Sequence, residues 1–350
     1  MTRRVLVVLH EAVDGGAGRA VRRLHDPLSR RGFELEYFDP PDRPIRYSLA
    51  ALREPPGVLR RAAAVPGYLG ALRRRINGGG YDLVHANTLL TAPEAAVARA
   101  AGLPTVIHAH EMLPGGAKGR LAAAAARRGA AVVAVSQAVA DGLAEHGVNA
   151  HVVRNGIELA PPAARAARRP PVVATLGTIC RRKGSDVFVD AVALLRRDGA
   201  AARFVLAGPP APGPEAAWAR ALMQRAAAQD IACPGRVEGS ALLGAIDVLV
   251  VPSREDPFPL VVLEGMAAGL PIVATAVDGI PEQLAGGAGQ LVAPEDPRAL
   301  AAAIAALLAS ADERRRLGAV ARERAGREFT LDRQADGLAA AYELALRPPA

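Results

Sequence analysis

The stretch Val248–Gly269 reads VLVVPSREDPFPLVVLEGMAAG, which indicates a strand, a proline-rich loop and a helix in direct succession. The run Val248–Val251 is apolar throughout, as is typical of a strand that is buried on both faces of a parallel sheet. The helix is predicted to begin near Leu260 and to end at Gly269. The first N–H groups of a helix have no intrahelical acceptor and carry partial positive charge, so this end of the helix suits a phosphate group.

Two carboxylates of this stretch lie eight positions apart, Asp256 in the loop and Glu264 just over one turn inside the helix. One of them can face a ligand at the mouth of the loop while the other reaches the far end of the same ligand. The alternative is a surface turn whose acids are merely solvated. The pair alone leaves both interpretations open, and the rest of the chain has to decide between them.

The composition allows two domains and favours an anionic partner. A chain of 350 residues is long enough for two domains of ordinary size, and its core must be built from alanine, valine and leucine because aromatic residues make up only 3%. The net charge of +8 and the runs of arginine favour phosphorylated ligands, an anionic membrane face or nucleic acid. The alternative is a proteome rich in alanine and arginine that uses arginine in place of lysine.

Compartment and targeting follow from the cysteines and the apolar runs. Cys180 and Cys233 lack the spacing of a metal site and suggest no disulfide framework, which favours a reducing cytosol. The apolar run within Met1–Leu9 is too short for a signal peptide, and no apolar stretch is long enough to span a bilayer. We therefore expect a cytoplasmic protein.

The start of the chain reads as a nucleotide-binding α/β unit. Arg4–Leu9 is predicted to be a buried strand, His10–Arg19 a glycine-rich loop and Ala20–Arg31 a helix. The loop glycines do not fit the G-x-G-x-x-G pattern of dinucleotide-binding proteins. They either let the backbone approach a phosphate or make a tight turn, and the sequence leaves both open.

Strands and helices then alternate, and the alternation restarts after a proline-rich stretch, which predicts two doubly wound α/β domains with a cleft between them. The predicted segments are an N-terminal domain (1–158), a linker (159–171), a C-terminal domain (172–330) and a C-terminal helix that packs back on the N-terminal domain (331–350). Ligands of such sheets bind at the carboxyl ends of the strands. The polar residues at or just after predicted strand ends are His10, Asn87, His110, Ser136 and Asn155.

Three further predictions concern single segments of the chain. Asp39–Gly67 is rich in proline and basic residues without periodicity, so it is predicted to be a long excursion. Arg236–Gly239 is predicted to be a short strand. Ser185 is predicted to be the N-cap of a helix over Asp186–Arg197.

Several motifs of the C-terminal half match one family. They are Leu176-Gly177 with Arg182-Lys183-Gly184, Val205–Gly208, Pro252–Gly269, Gly279–Glu282 and Gly289–Val292. In this order they make the chain resemble the family 4 retaining glycosyltransferases, and the resemblance covers nearly the whole chain. It implies the GT-B architecture, in which two Rossmann-like domains face each other across a cleft.

The resemblance implies a nucleotide-diphosphate sugar as donor, bound mainly by the C-terminal domain. Glu264 would accept hydrogen bonds from the ribose hydroxyls, and Asp256 would contact the transferred sugar at a position where most members carry glutamate. Lys183 would neutralise the diphosphate, and the N–H groups of Leu260 and Val261 would cradle it.

Many family members carry an arginine directly after the strand glycine, where this chain has Thr178. Arg181 or Arg182 is then the candidate for the second positive charge at the diphosphate. The alternative is a solvated pair of arginines.

In the N-terminal domain, His110 looks like the active-site histidine of the family, which would hydrogen-bond the transferred sugar or orient the acceptor. His108 is expected to point elsewhere. Gly16 looks like the glycine that approaches the donor phosphate. Arg154–Gly156 matches the crossing between the domains, and Asn155 is interpreted as a turn residue in the left-handed conformation.

The implied reaction transfers a sugar from a UDP- or GDP-type donor to a hydroxyl acceptor, which is a sugar, a lipid-linked acceptor or a small molecule. Retaining members use front-face attack, so no enzymic nucleophile is named. No Asp-x-Asp metal motif is present, because Asp39 and Asp42 are wrongly spaced, and we predict no metal and no further cofactor. The basic segment Arg43–Arg75 is a candidate for peripheral contact with the anionic inner face of the membrane.

Three alternatives remain at the level of the sequence. The chain could be another GT-B sugar-nucleotide enzyme such as an epimerase or a phosphorylase, or a degenerate binder without activity. A nucleic-acid binder is disfavoured, because few aromatic residues are available for base stacking and no known module is present.

Overall fold

The computed structural model describes residues 2–9, 15–38, 55–159 and 170–348, with the backbone alone for 55–64. The chain divides into two compact units, Met1–Gly156 together with Leu331–Ala350, and Ile157–Thr330. The first crossing therefore lies two residues before the predicted boundary at 158. Most of the predicted linker, residues 160–169, lies outside the described residues.

The first unit contains a six-stranded, fully parallel sheet in the order β2-β1-β3-β4-β5-β6. Its strands are β1 (Arg3–Val8), β2 (Phe33–Phe38), β3 (Leu83–Ala86), β4 (Thr105–Ala109), β5 (Ala131–Ala134) and β6 (His151–Val152). Its helices, numbered along the chain, are α1 (Gly16–Arg22), α2 (His25–Ser29), α3 (Pro55–Gly79), α4 (Ala92–Ala100), α5 (Gly116–Ala126), α6 (Gln137–Ala144) and α14 (Leu331–Leu346).

Helix α14 packs on the sheet of this unit, although it follows the second unit in the chain. Its Tyr342 is fully buried and meets the ring of Phe33 edge-on, with ring centroids 5.1 Å apart. At the surface, Arg31 Nε donates to Asp336 at 2.7 Å. Apolar packing inside and ion pairing outside fix the helix to this unit.

The second unit has the same plan, a fully parallel sheet in the order β12-β11-β10-β7-β8-β9. Its strands are β7 (Val172–Leu176), β8 (Arg203–Ala207), β9 (Ile231–Gly235), β10 (Val248–Val251), β11 (Ile272–Thr275) and β12 (Gln290–Val292). Its helices are α7 (Ser185–Arg197), α8 (Ala216–Ala228), α9 (Gly239–Ala245), α10 (Leu260–Ala267), α11 (Ile280–Leu284), α12 (Pro297–Ala309) and α13 (Ala311–Glu328).

The strand order determines which loops can meet. In the second unit β7 lies beside β10, and the chain proceeds outward from these two strands in opposite directions. In the first unit β1 and β3 stand in the same relation. The chain leaves such a strand pair toward opposite sides of the sheet, and ligands of doubly wound sheets bind at the carboxyl edge where this reversal occurs. Each unit therefore has one place where a ligand site is expected.

The predicted helix Ala20–Arg31 is in fact two helices, α1 and α2. Pro27 explains the break, because it has no N–H to donate to the carbonyl four residues earlier and its ring crowds that carbonyl. The chain therefore bends at Leu24, whose side chain is fully buried. The predicted strand end at His10 lies outside the described residues.

The prediction of a long excursion over Asp39–Gly67 is wrong for its second part, because helix α3 begins at Pro55. Residues 39–54, which include Asp39, Asp42 and Arg43, lie outside the described ranges. Prolines in the first helical turn give up N–H groups that have no intrahelical acceptor, so Pro55 and its neighbour are compatible with a helix start. Pro66 lies inside the helix.

Two predictions in the second unit are also wrong. Arg236–Gly239 is not a strand, because β9 ends at Gly235 and Glu238 caps α9 by accepting from the N–H groups of Ser240 (3.0 Å) and Ala241 (2.6 Å). Ser185 is not an N-cap, because it is already the first residue of α7 and Gly184 takes that place in the left-handed conformation.

Within the described ranges, none of the helices combines the length and the apolar character that crossing a bilayer requires.

Candidate functional site

The loop after β7 and the loop after β10 are joined into one structure at the carboxyl edge of the second sheet. The Arg254 N–H donates to the carbonyl of Arg182 at 2.8 Å, and Arg182 Nη1 donates to the carbonyl of Glu255 at 3.0 Å. A Cβ atom on Gly184 would lie 1.8 Å from the carbonyl oxygen of Pro252. The two loops thus touch through their backbones, and glycine is required where they do.

Arg254 clamps these loops to the helix behind them. Its guanidinium makes two parallel hydrogen bonds to Asp186 at the start of α7, at 2.8 and 3.0 Å. It also donates to Glu295 at 2.6 Å and to the carbonyl of Arg181 at 2.6 Å. Bidentate arginine–carboxylate pairs fix geometry as well as contributing energy. The sequence did not identify Arg254, because its partners come from the loop after β7, from helix α7 and from the loop after β12.

The structure brings together two of the predicted site residues, Asp256 and Lys183. Lys183 Nζ lies 2.5 Å from Asp256 Oδ2, and the hydroxyl of Ser253 donates to the same oxygen at 3.1 Å. Asp256 is 5% exposed, so its carboxylate depends on these partners. The predicted diphosphate cation and the predicted sugar-binding acid therefore neutralise each other here.

Asp278 supports this acid from the loop after β11. The N–H of Asp256 donates to Asp278 Oδ2 at 2.6 Å, and burial raises the pKa of Asp278. Asp278 has a φ of +46°, a conformation that costs energy for a non-glycine residue and that clusters at functional sites. The next residue, Gly279, approaches the backbone of Pro257 so closely that a Cβ atom would lie 2.0 Å from its carbonyl oxygen. The Asp-Gly pair was a signal for a turn, but not for its contact with Asp256.

Helix α10 begins at Leu260, as predicted, and its first turn directly follows the loop that carries Asp256. Its N-cap is Pro259, and no side chain of the described residues caps the helix. The N–H groups of Leu260 and Val261 are left for an acceptor that the described part of the chain does not supply. Farther along, Gly265 packs so tightly on β10 that a Cβ atom would lie 2.4 Å from a methyl group of Leu249. The helix is thus anchored to the strand that it follows.

Glu264 lies on α10, half-buried, and faces the start of α9. A Cβ atom added to Gly239, the first residue of α9, would lie 4.0 Å from Glu264 Oε2 and 3.7 Å from Leu176 at the end of β7. Glu264 and Asp256 therefore lie on either side of the first turn of α10. This placement allows one extended ligand to meet both carboxylates.

Of the two candidate arginines, Arg182 is the one whose guanidinium donates to the loop that carries Asp256. The guanidinium of Arg181 lies over the ring of Trp218, 4.7 Å from its centroid, and its N–H donates to Glu215 at 2.9 Å. Apart from Arg181, Arg182 and Lys183, the loop after β7 contains no cationic side chain, and Thr178 is uncharged.

The first unit holds a column of three histidines. His108 and His110 stack with ring centroids 4.0 Å apart, and His85 on the neighbouring strand lies 5.3 Å from His108. The expectation that His108 points elsewhere is wrong, because residues two apart on a strand share a face. His85 Nδ1 lies 2.7 Å from the hydroxyl of Tyr342 on α14.

Burial keeps the whole column neutral. It lowers the pKa of His110 to about 3, and with the neighbouring His110 it lowers that of His85 to about 3. It lowers the pKa of His108 well below its usual value. Beside the column, burial raises the pKa of Glu111 to about 7, while the N–H groups of His110 (2.9 Å) and Leu90 (3.3 Å) donate to its carboxylate.

Gly16 is the first residue of α1, and a Cβ atom there would meet nothing within 4 Å. The described chain therefore leaves open space at this glycine. Asn155 is not left-handed, because the described non-glycine residues with positive φ are Asp230, Asp278 and Glu295. It is 4% exposed and accepts a hydrogen bond from Gln334 at 3.2 Å instead.

In the parts of the chain that the structure describes, no three or more histidine, cysteine, aspartate or glutamate side chains are grouped so that they could hold a metal ion.

The histidine column predicts acid-sensitive stability. Since the folded pKa values lie below that of a free imidazole, near 6.5, the unfolded chain binds more protons below that pH, and stability present above pH 6.5 is lost as the pH falls toward 3. Replacing His108 by phenylalanine is expected to lower the slope of unfolding free energy against pH by about 1.4 kcal/mol per pH unit between pH 4 and 6. Urea unfolding at a series of pH values measures this slope. His151→Phe is the control, because His151 is exposed on β6, and an equal change of slope in both variants would contradict the prediction.

Each of the two units matches the sequence model of a known protein family. The sequence model of the family described as glycosyl transferases group 1 matches residues 170–310, and that of glycosyltransferase family 4 matches residues 14–161. A glycogen synthase of Mycobacterium tuberculosis is 30% identical over 294 residues, which are 76% of this chain and 69% of that protein.

A lipopolysaccharide core biosynthesis mannosyltransferase of Rhizobium meliloti is 34% identical over 194 residues, which are 50% of this chain and 52% of the relative. The chain thus matches about half the length of this curated relative. Among solved structures, the Anabaena protein HepE in complex with UDP-glucose superimposes with a TM-score of 0.77 over 97% of this chain and 99% of that one. At 21% identity this likeness shows the fold alone.

Proposed function

Because the chain belongs to glycosyltransferase family 4 and has the GT-B architecture, we propose that it transfers a sugar from a nucleotide-diphosphate sugar to a hydroxyl acceptor. The observation that carries this proposal is the pairing of Lys183 with Asp256 in front of the uncapped first turn of α10. A cation, a carboxylate and free N–H groups at one sheet edge match the three parts of such a donor. The Anabaena neighbour binds UDP-glucose, which favours a UDP-type donor for this chain as well.

In this proposal the donor lies along α10. The diphosphate accepts hydrogen bonds from the N–H groups of Leu260 and Val261 and draws Lys183 away from Asp256. Asp256 is then free to accept from hydroxyls of the transferred sugar, and Glu264 accepts from the vicinal hydroxyls of the ribose. Arg182 supplies the second positive charge, since Arg181 is held on Trp218.

We further propose a retaining, metal-independent reaction. The acceptor oxygen bonds to the anomeric carbon on the face from which the diphosphate leaves. The bond from that carbon to the diphosphate breaks with its electron pair going to the phosphate oxygen, which takes the proton of the acceptor hydroxyl. The negative charge that develops on the leaving group is stabilised by Lys183, Arg182 and the helix terminus. We assign Gly16 of the first unit to a contact with the donor phosphate. We assign His110 of the same unit to a hydrogen bond with a sugar hydroxyl.

The first test is a thermal-shift screen with UDP, GDP, ADP and their sugar conjugates. One nucleotide is expected to stabilise the wild-type protein, and Glu264→Ala is expected to weaken its binding about 10- to 100-fold, because one charge-assisted hydrogen bond is worth about 1.5–3 kcal/mol. Glu255→Ala is the matched control, since Glu255 is an exposed glutamate of the loop that precedes α10 and contacts Arg182 through its backbone carbonyl. Equal stabilisation of all three proteins would overturn the role of Glu264, and no stabilisation by any nucleotide would overturn the proposed donor class.

A cytoplasmic location with peripheral contact at the inner membrane face is proposed on two observations. Cys180 and Cys233 are both free, as in a reducing compartment, and α3 carries the three exposed arginines Arg73–Arg75. Cosedimentation with vesicles rich in phosphatidylglycerol is expected and should fall steeply with added salt. Replacing the three arginines by glutamine should abolish it, whereas absence of binding at low salt would end this part of the proposal.

A further inference from the structure

Asn87 lies at the point of the first sheet where the chain direction reverses, directly after β3 and beside β1. It is 1% exposed, and its N–H extends the ladder by donating to the carbonyl of Val8 at 3.1 Å. Its side chain is therefore fixed in a place where ligands of such sheets bind. None of the roles assigned above uses it.

The side-chain amide of Asn87 has two partners that determine its orientation. Its Nδ2 lies 3.0 Å from the carbonyl oxygen of Ala17, and its Oδ1 lies 3.2 Å from Nε2 of His110. A carbonyl oxygen can only accept, so the amide nitrogen must face Ala17 and the amide oxygen must face His110. The contact to His110 then requires a proton on Nε2.

The proton on Nε2 also determines whether the other ring nitrogen, Nδ1, is protonated. His110 stacks on His108, whose two ring nitrogens are buried and have no partner within the described ranges. A positive charge on the ring is unfavourable in such surroundings, and burial lowers the pKa of His110 to about 3. In a neutral imidazole with Nε2–H, the Nδ1 atom carries a lone pair and can only accept a hydrogen bond.

We propose that Asn87 is a positioning residue that holds His110 in the Nε2–H form, so that Nδ1 accepts a hydrogen bond from a hydroxyl group of a sugar substrate. The inference rests on the proposed function and specifies the ligand group, which is a hydroxyl and not an ionised phosphate. Through Ala17, the same amide ties His110 to the start of α1, where Gly16 lies. Asn87 therefore sets the position of the histidine relative to the glycine loop.

The tautomer can be measured without any substrate. In protein labelled with ¹⁵N-histidine, His110 is identified among the seven histidines by the signals that His110→Gln removes. At pH 7 the wild type is expected to show a protonated Nε2 and an unprotonated Nδ1. A protonated Nδ1 would overturn the inference, whatever the enzyme transfers.

The role of Asn87 is tested by Asn87→Asp, which keeps an acceptor at His110 but gives it charge. The pKa of His110 is expected to rise by about 1–3 units, because an opposite charge at this distance favours the imidazolium. His108 faces the His110 ring, His85 lies behind His108, and the carboxyl of Glu111 accepts from the His110 N–H; all three are unchanged in this comparison. Asn155→Asp is the control, since Asn155 is also buried but bonds to Gln334. This substitution should leave the pKa of His110 unchanged.

A kinetic test follows once the screen has identified the donor. Asn87→Leu removes the acceptor and is expected to lower kcat about tenfold or more, because a misplaced contact group costs at least that much, while the KM for the donor changes less. Asn87→Asp should retain more activity than Asn87→Leu at high pH. An unchanged kcat in Asn87→Leu, or no shift of the His110 pKa in Asn87→Asp, would overturn the positioning role. Absence of any transferase activity with the expected tautomer would count against the proposed function alone.

Discussion

Replacing Gly184 by alanine is expected to lower the free energy of unfolding by about 2–5 kcal/mol and to abolish nucleotide binding. Gly184 has a φ of +63°, which costs an L-residue about 1–2 kcal/mol. The added Cβ atom would also lie 1.8 Å from the carbonyl oxygen of Pro252, so the loops after β7 and β10 must separate. Because these loops hold Lys183 and Asp256 together, their separation removes the geometry on which donor binding depends.

Gly199→Ala is the matched control for this variant. Gly199 follows the other end of the same helix with a φ of +78°, but a Cβ atom there meets nothing within 4 Å. The control should lose only the conformational cost, whereas Gly184→Ala should lower the melting temperature further, by about 2–12 °C in a domain of this size. Thermal unfolding of both variants with and without nucleotide decides the matter. Equal losses in the two would mean that the close approach of the loops is not a constraint.

The sequence predicted most of the local structure correctly, because local patterns suffice for it. The strand and helix of Val248–Gly269 appear at the predicted places, and α14 (Leu331–Leu346) lies within the predicted C-terminal helix 331–350. Both rest on apolar periodicity and on end signals within the segment itself. The failures are equally local in origin. Pro27 divided one helix, and Glu238 capped a helix where a strand was expected.

The candidate site was predictable only in part, because its contacts join loops that lie far apart in the chain. Resemblance to the family identified Lys183, Asp256 and Glu264, but not that the first two pair with each other. Arg254 and Asp278 were missed, since each acts through partners that only the strand order brings near.

The histidine column shows the same limit. The prediction that His108 points away from His110 was wrong. The sequence itself contains the signal that corrects it, because residues two apart on a strand share a face. The contact of Asn87 with His110 could not be predicted from the sequence, since it depends on β3 lying between β1 and β4. Polar residues after strand ends are thus easy to find, but their pairing requires the sheet.

Replacing Lys183 by methionine is expected to lower kcat/KM about 10²–10³-fold, because Lys183 stabilises the charge that develops on the leaving diphosphate. Arg181→Met is the matched control, since Arg181 is a cation two positions earlier whose guanidinium lies on Trp218. It should change kcat/KM only a few-fold. A loss in Arg181→Met as large as that in Lys183→Met would mean that Arg181 leaves Trp218 to bind the diphosphate and shares the role.

A loss of activity in Lys183→Met could also arise from misfolding, because the substitution leaves Asp256 buried without its cation. Removing one partner of such a pair is expected to cost about 2–4 kcal/mol of stability, somewhat below the value for a fully buried pair, since Lys183 is 24% exposed. Adding Asp256→Asn removes the unpaired charge, so the double variant should regain most of the lost melting temperature. If Lys183 acts on the leaving group, activity stays low in the stabilised double variant even when Asp256→Asn alone keeps measurable activity. Recovery of activity together with stability would instead assign Lys183 to the support of Asp256.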